Sequence, residues 1–199
     1  LFSFDFYLKY MLNLIIFGSP GAGKGTQAKK LAQQFNLKHV SSGEILRRAI
    51  KSNRLDKKIS TYLDAGKLVP DTLIITLMTK RLEKLLGKVN LIFDGYPRTL
   101  KQAKMLDEIF QEKNIKPALV ISLDLENNIA LQRILDRSKN SNRSDDILKV
   151  IKKRLKIYEK TTAPILKYYE QNKRLIKIDG RANIDKVNEE ILIKIKKRL

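Results

Sequence analysis

Nine consecutive residues, 18–26, with the sequence Gly-Ser-Pro-Gly-Ala-Gly-Lys-Gly-Thr, constrain the fold of this chain more than any other segment. An apolar run at residues 12–17 precedes them, and a pattern typical of a helix begins at Gln27. The glycines allow backbone N–H groups to turn inward around an anion, and the following helix adds the partial positive charge of its N-terminus. A strand, a glycine-rich loop with Lys24 and a helix in this order predict a phosphate-binding loop for a nucleoside triphosphate.

The end of this loop departs from the usual pattern, in which Ser or Thr follows the lysine. Here Lys24 is followed by Gly25, and Thr26 comes one place later. The hydroxyl group that usually contacts Mg²⁺ is therefore displaced. This departure narrows the set of families to which the loop can belong.

Short runs suited to strands alternate with longer helical patterns along the chain. Strands are predicted at residues 12–17, 38–41, 90–94, 118–123 and 175–179. Helices are predicted at residues 25–35, 43–51, 71–86, 100–114 and 146–163. This alternation predicts an α/β fold with a doubly wound parallel sheet.

Two segments interrupt the alternation. Residues 42–70 separate the second strand from a long helix and end in a turn-rich stretch. Residues 137–146 are wholly polar, carry two arginines and lie between two helical patterns. The second segment is either solvated surface or a lid over the phosphate-binding loop.

Length and composition limit the class of protein. A chain of 199 residues without cysteine is predicted to form one domain, 11–199, in a reducing compartment such as the cytoplasm. No apolar run approaches the ~20 residues of a membrane helix, and residues 1–10 are interpreted as an N-terminal extension before Met11. The formal net charge of +20 leaves a basic RNA- or ribosome-associated nucleotide-binding protein as one alternative, although the lysines are spread along the chain.

Asp94 stands at the end of the third predicted strand, near the predicted phosphate loop. A carboxylate at this place is suited to hold Mg²⁺ through water. The next residue is Gly95, where hydrolytic ATPases usually have a glutamate that activates water, and no Asn-Lys-x-Asp guanine-reading motif is present. The pattern therefore favours transfer of the phosphoryl group to an acceptor over hydrolysis.

Arginines suit this chemistry, because guanidinium groups stabilise the charge of a transferring phosphoryl group. Arg133 and Arg137 are four residues apart, so they share one helical face directly before the polar loop. Arg98 follows Pro97 close to Asp94. His39 is interpreted as a packed or surface residue, because a nucleotide phosphate acceptor is already ionised and needs no base.

Five segments together resemble the adenylate kinase family of nucleoside monophosphate kinases. They are residues 18–26, the Ser-Ser-Gly-Glu-Ile-Leu-Arg run at 41–47, Gly-Lys-Leu-Val-Pro at 66–70, Asp-Gly-Tyr-Pro-Arg at 94–98 and Arg-Ser-Asp-Asp at 143–146. The resemblance implies a five-stranded parallel sheet in the order 2-3-1-4-5, with a core at 11–41, 71–136 and 147–199. It also implies a lobe that binds the nucleoside monophosphate at 42–70 and a short lid at 137–146.

The same resemblance implies the site residues and the reaction ATP + AMP ⇌ 2 ADP with Mg²⁺. ATP is expected at Gly21, Ala22, Gly23, Lys24, Gly25, Thr26, Arg133, Arg137 and Ala182. AMP is expected at Ser42, Arg47, Lys67, Leu68, Val69, Gly95, Tyr96, Pro97, Arg98, Gln102, Arg143 and Arg154. The expected catalytic residues are Lys24, Arg98, Arg133, Arg137, Arg143 and Arg154.

The short segment between Arg137 and Arg143 resembles the short-lid form, in which no zinc is expected. Short lids are also typical of UMP/CMP kinases, which usually show alanine where Ser42 stands and asparagines after the Pro-Arg step. This chain has Thr99 and then Gln102 after that step, so AMP is favoured as the acceptor and a UMP/CMP kinase is the alternative. The family resemblance also implies a monomer.

Overall fold

One parallel sheet of five strands forms the centre of the computed structural model, which describes residues 12–52, 55, 59–139 and 147–199. The strands are β1 (Leu14–Gly18), β2 (Lys38–Ser41), β3 (Leu91–Asp94), β4 (Leu119–Asp124) and β5 (Leu175–Asp179). Their order is β2-β3-β1-β4-β5. The predicted α/β class, the parallel sheet and its order are confirmed.

The central strand β1 is buried on both faces because successive side chains of a strand point to opposite sides. Ile15 and Phe17 belong to one hydrophobic core, whereas Leu14 and Ile16 belong to the other. A continuous apolar run is therefore what this position requires. The burial of β1 on both faces holds the residues that follow it rigidly at the carboxyl edge of the sheet.

Helices cover both faces of the sheet. In chain order the helices of the described residues are α1 (Lys24–Gln34), α2 (Ser42–Lys51), α3 (Ser60–Asp64), α4 (Asp71–Leu82), α5 (Leu100–Glu112), α6 (Asn127–Ser138), α7 (Leu148–Ile157), α8 (Ala163–Gln171) and α9 (Ile184–Lys196). Helices α1 and α9 pack on one face, and α4, α5 and α8 pack on the other. This is the layering of a doubly wound fold.

Several helix boundaries differ from the prediction. Helix α4 ends at Leu82 rather than at residue 86, because turns lead from there to Gly87, which has a φ of 74°. The helix predicted at 146–163 contains a π-helical segment at Tyr158–Thr162, and Pro164 lies in the first turn of α8. Proline has no N–H to continue the α-helical ladder, which accounts for the change of winding.

Some predicted features lie outside the described residues. These are the extension at 1–10, Arg143 and the lid residues 140–146. In the remainder, no helix is long and apolar enough to cross a membrane.

The sheet order places a switch point at β1. In the sheet, β3 and β2 lie on one side of β1, whereas β4 and β5 lie on its other side. Ligands of open α/β sheets bind at the carboxyl ends of the strands at such a point. The glycine-rich loop follows β1 at this edge, and Asp94 ends β3 beside it. The fold therefore brings together two motifs that are 70 residues apart in the chain.

Candidate functional site

A cavity of about 1260 Å³ opens at the carboxyl edge of the sheet. The glycine-rich loop forms its floor, and residues from α2, from the loop after β3, from α6 and from the start of α9 form its walls. The volume is large enough for more than one drug-sized ligand. The cavity is therefore the candidate binding site for both nucleotides.

The glycine-rich loop depends on backbone conformations that favour glycine. Gly21 and Gly23 have φ values of 87° and 88°. A Cβ added at Gly21 would lie 2.4 Å from the carbonyl oxygen of Ala130 in α6, whereas one at Gly23 would meet nothing within 4 Å. The loop thus rests directly on the backbone of the helix that carries Arg133 and Arg137.

Lys24 begins α1 and turns its ammonium group back along the loop. Its Nζ donates to the carbonyl oxygens of Gly18 and Ser19 at 2.8 and 2.9 Å. Burial lowers the pKa of Lys24 to about 8, even though the carboxylate of Asp94 opposes the shift. The neighbouring cations that lower this pKa further are Arg98, Arg154 and Arg137. An anion in the cavity would offset this repulsion, so the site is electrostatically suited to phosphates.

Asp94 lies beside Lys24 at the end of β3. Burial alone would raise the pKa of Asp94, but the adjacent His39 and Lys24 lower it on balance. The His39 Nε2 atom is 3.7 Å from the Asp94 Oδ2 atom. A Cβ at Gly25 would be 3.5 Å from the same oxygen, so the missing side chain leaves space beside the carboxylate.

The carboxylate of Asp94 suits Mg²⁺ that arrives with a nucleotide. The described residues contain no cluster of three histidine, cysteine or acidic side chains that could hold a metal by themselves. Mg²⁺ commonly keeps several waters and binds through one or two carboxylates together with substrate phosphates. The donor set around Asp94 fits that mode, in which the phosphates supply further oxygens.

Arg133 connects α6 to the loop after β5. Its guanidinium donates to the carbonyl oxygens of Gly180 and Arg181 at 2.9 and 3.0 Å. Ala182 follows this loop and lines the cavity, as does Arg137 one helical turn after Arg133. The predicted proximity of Arg133, Arg137 and Ala182 is thus present in the described structure.

An amide network that is buried at Gln27 and Asn188 joins α1 to α9. Gln27 Nε2 donates to the carbonyl oxygen of Ile184 at 2.8 Å, and Asn188 Nδ2 donates to Gln27 Oε1 at 3.1 Å. Gln34 Nε2 donates to Asn188 Oδ1 at 2.9 Å. These contacts fix the cavity wall formed by residues 182–184 relative to the glycine-rich loop. These contacts were not predicted from the sequence.

On the other side of the cavity, Gly95 is an acceptor for two site residues. Its carbonyl oxygen accepts from Ser42 Oγ at 2.5 Å and from Arg98 Nε at 2.7 Å. Gly95 has a φ of 73°, and an added Cβ would lie 2.9 Å from Arg98 Nη2. Glycine at this position therefore allows Arg98 to pack against the turn.

Gln102, in the first turn of α5, is 2% exposed and lines the cavity. Its Oε1 accepts from the backbone N–H of Arg98 at 2.8 Å, and its Nε2 donates to Asp71 Oδ1 at 2.6 Å. Thr99 Oγ1 donates to Asp71 Oδ2 at 2.9 Å. Both oxygens of Asp71 are thus used to hold the start of α5.

Most other predicted residues also reach the cavity. Its lining includes Ala22, Thr26, Arg47, Lys67, Leu68, Val69, Pro97 and Arg154. Tyr96 does not line it, because the Tyr96 ring is 2% exposed and packs in the hydrophobic core with α4 and α5.

Some residues of the site were not predicted, because their sequence patterns have an ordinary structural explanation. Asp71 is the first residue of α4 and looks like the acidic residue common in a first helical turn. Thr162, in the π-helical segment, lines the cavity and donates from Oγ1 to the carbonyl oxygen of Arg98 at 3.2 Å. A π-helical segment is often found at a functional site, but the apolar periodicity of a sequence does not reveal where such a segment occurs.

Comparisons with known proteins agree with this geometry. The family model described as Adenylate kinase matches residues 16–174. The adenylate kinase of Azobacteroides pseudotrichonymphae is 40% identical over 186 residues, covering 93% of this chain and 97% of that protein. That of Phocaeicola vulgatus is 36% identical over 188 residues, covering 94% and 100%. That of Cyanothece sp. is 43% identical over 171 residues, covering 85% and 88%.

Proposed function

This chain belongs to the adenylate kinase family and is a phosphotransferase, and from that membership we propose how its cavity divides between two nucleotides. Its reaction is ATP + AMP ⇌ 2 ADP, and no finding favours a UMP/CMP kinase or an RNA-associated protein. The observation that carries the division is the position of Lys24. Lys24 interacts electrostatically both with Arg137, in the wall built from α6 and the loop after β5, and with Arg98, in the wall built from α2 and the loop after β3.

ATP occupies the half of the cavity that contains the glycine-rich loop. Backbone N–H groups at the N-terminus of α1 and the Lys24 ammonium hold its phosphates, because a helix N-terminus leaves N–H groups without partners in the helix. Arg133 and the backbone at Ala182 flank the adenine. The hydrogen bonds from Arg133 to Gly180 and Arg181 support this placement, since they fix that wall.

AMP occupies the half formed by α2, residues 66–69 and the loop after β3. Arg47 and Arg98 hold its phosphate, and Gln102 reads its base. Ser42 acts through the hydrogen bond to Gly95 that holds this wall. The burial of Gln102 supports its role, because a buried amide contributes strongly to discrimination between bases.

The transferring phosphoryl group lies between the two halves. Lys24, Arg137 and Arg154 stabilise its charge, and we assign Arg143, which lies outside the described residues, to the same task. Asp94 would hold, through water, the Mg²⁺ bound to ATP, and that ion would supply neutralisation of phosphate charge. The AMP phosphate is already ionised, so these residues act by positioning and electrostatic stabilisation, without a general base.

The arrangement also explains why transfer is favoured over hydrolysis. Gly95 provides no carboxylate to activate water next to Asp94. We propose that the lobe at 42–70 and the short lid at 137–146 close over the nucleotides and exclude water. We further propose, from membership of the family, that the protein acts as a monomer, and, from its lack of cysteine, that it does so in a reducing compartment such as the cytoplasm.

The reaction and its acceptor are tested together. Purified protein given ADP and Mg²⁺ should produce ATP and AMP, and with ATP as donor it should phosphorylate AMP in preference to UMP and CMP. A folded protein that fails to interconvert the adenine nucleotides would contradict the assigned activity. Faster turnover of UMP or CMP than of AMP would contradict the assignment of Gln102 as the residue that reads adenine.

ATP binding should weaken as the pH rises through about 8, because the lowered pKa of Lys24 removes its charge there. Bound ATP favours the charged ammonium, so binding above this pH should take up a proton. Titration calorimetry with MgATP between about pH 7 and 9.5, in buffers of different ionisation enthalpy, measures both effects. Lys24→Gln serves as the control and should bind weakly without this pH dependence. Unchanged affinity of the parent across the range would contradict the prediction.

Replacement of Gly66 should weaken the binding of AMP more than the binding of ATP. Gly66 has a φ of 62°, and an added Cβ would lie 2.8 Å from Val150 Cγ1 and 2.9 Å from Arg154 Cγ in α7. Gly66→Ala should hold residues 66–69 away from α7 and raise the KM for AMP about tenfold, equivalent to ~1.4 kcal/mol. The KM for ATP should change less than about twofold. Equal effects on both nucleotides, measured by steady-state kinetics, would instead indicate a general loss of structure.

A further inference from the structure

Asp71 determines which way the amide group of Gln102 faces. The Gln102 Nε2 atom lies 2.6 Å from one carboxylate oxygen of Asp71, and Oε1 lies 2.8 Å from the backbone nitrogen of Arg98. A carboxylate only accepts hydrogen bonds and a backbone N–H only donates. A reversed amide would place two acceptors together at Asp71 and two donors together at Arg98. The amide therefore has one stable orientation.

In this orientation the Gln102 amide presents a defined set of hydrogen-bonding groups to a bound base. A primary amide has two N–H donors and two acceptor lone pairs. After the contacts with Asp71 and Arg98, one N–H and one lone pair remain for the cavity. Adenine presents an exocyclic N–H beside a ring nitrogen acceptor, which complements that pattern. Hypoxanthine, the base of IMP, presents a carbonyl acceptor and a ring N–H, so its pattern is reversed.

We propose that Asp71 is a specificity-determining positioning residue, which fixes the polarity of the Gln102 amide and so selects a 6-aminopurine over a 6-oxopurine monophosphate. The inference rests on the proposed binding of AMP beside Gln102. Asp71 acts through Gln102, because its two carboxylate oxygens already accept from Gln102 and Thr99. Its position at the start of α4, directly after residues 66–70, links the amide to the wall of the same half-cavity.

The test compares AMP with IMP in the parent and in Asp71→Asn. Asparagine has nearly the same shape, but its side-chain amide can donate as well as accept, so only the backbone N–H of Arg98 still opposes reversal of the Gln102 amide. The ratio of kcat/KM for AMP over IMP should fall at least about fivefold, because a charge-assisted hydrogen bond is replaced by a neutral one of either polarity. The loss should appear mainly in the KM for AMP, with the KM for ATP unchanged. Calorimetric titration of AMP and IMP gives the same ratio if turnover is low.

Thr99→Val is the matched control. It removes the hydrogen bond from Thr99 to Asp71 and the side-chain cap of α5, but it leaves the carboxylate facing Gln102. It should lower the unfolding temperature while the ratio for AMP over IMP stays within about twofold of the parent, since a cap contributes ~1 kcal/mol to stability. An unchanged ratio in Asp71→Asn, or an equal fall in Thr99→Val, would overturn the proposal. A parent that transfers no phosphate to AMP would instead contradict the proposed function.

Discussion

Lys24→Met should lose phosphoryl transfer by at least about 10³-fold while the protein remains folded, because the ammonium charge is needed most in the transition state. Its Nζ donates to two loop carbonyl oxygens and lies close to Asp94 and three arginines. Among the residues of α1, only Lys24 donates from its side chain to carbonyl oxygens of this loop. Methionine keeps an unbranched apolar stem of nearly the same length but provides neither the charge nor a hydrogen-bond donor.

The stability of this variant should not fall with its activity. Burial lowers the pKa of Lys24, so the native state is less stable with the lysine charged than with it neutral. Removing the charge should leave the unfolding temperature within about 4 °C of the parent, or raise it. Coupled turnover and thermal unfolding measure the two quantities. Lys104→Met, on the exposed side of α5, is the matched control and should retain parental activity. Activity of Lys24→Met within tenfold of the parent would refute the assigned role.

Gly21→Ala should cause the second large effect, a loss of ATP binding of at least about 10²-fold together with a marked loss of stability. Two physical causes combine. A φ of 87° costs an alanine about 1–2 kcal/mol, and its Cβ would lie 2.4 Å from a backbone carbonyl oxygen of α6. A backbone atom cannot move aside as a flexible side chain can. The loop must therefore separate from Ala130, and its N–H groups lose their positions around the phosphates.

Gly87→Ala separates these two causes. Gly87 has a φ of 74°, but an added Cβ would meet nothing within 4 Å. This variant should show the conformational cost alone, as a lower unfolding temperature with parental affinity for MgATP. Calorimetry of MgATP binding and thermal unfolding should be measured for both variants. Parental affinity in Gly21→Ala would show that the loop does not depend on its contact with α6.

Much of the fold was predictable because apolar residues reveal burial. The continuous apolar run before the glycine-rich loop predicted a strand covered on both faces, and β1 occupies that position in the sheet. The ends of elements were less predictable, since local events determine them. Helix α4 ends four residues early at turns that lead to Gly87, and the helix before Pro164 changes its winding. Helix α9 was not predicted, although Asn183 caps it through its side chain.

Site residues were predictable where the motif that contains them indicates a chemical role by itself. The glycine-rich loop, Asp94 and Arg98 line one cavity, as their sequence context suggested. The residues that orient others were not predictable, because their roles depend on contacts between distant segments. Asp71 and Gln102 are 31 residues apart, and Gln27 and Asn188 are 161 apart. An amide or carboxylate in a helix does not reveal from sequence alone which partner it meets.

The π-helical segment at Tyr158–Thr162 allows the helices before and after it to pack in two different hydrophobic cores. Before it, Ile151 and Leu155 pack with α6, whereas after it Ile165 and Tyr169 pack in the core on the face of the sheet covered by α4 and α5. One additional residue in a turn rotates the following helix by about 100° relative to the preceding one. Because Tyr158 and Thr162 line the cavity, an insertion or deletion within this segment would change both the packing of α8 and the wall of the site.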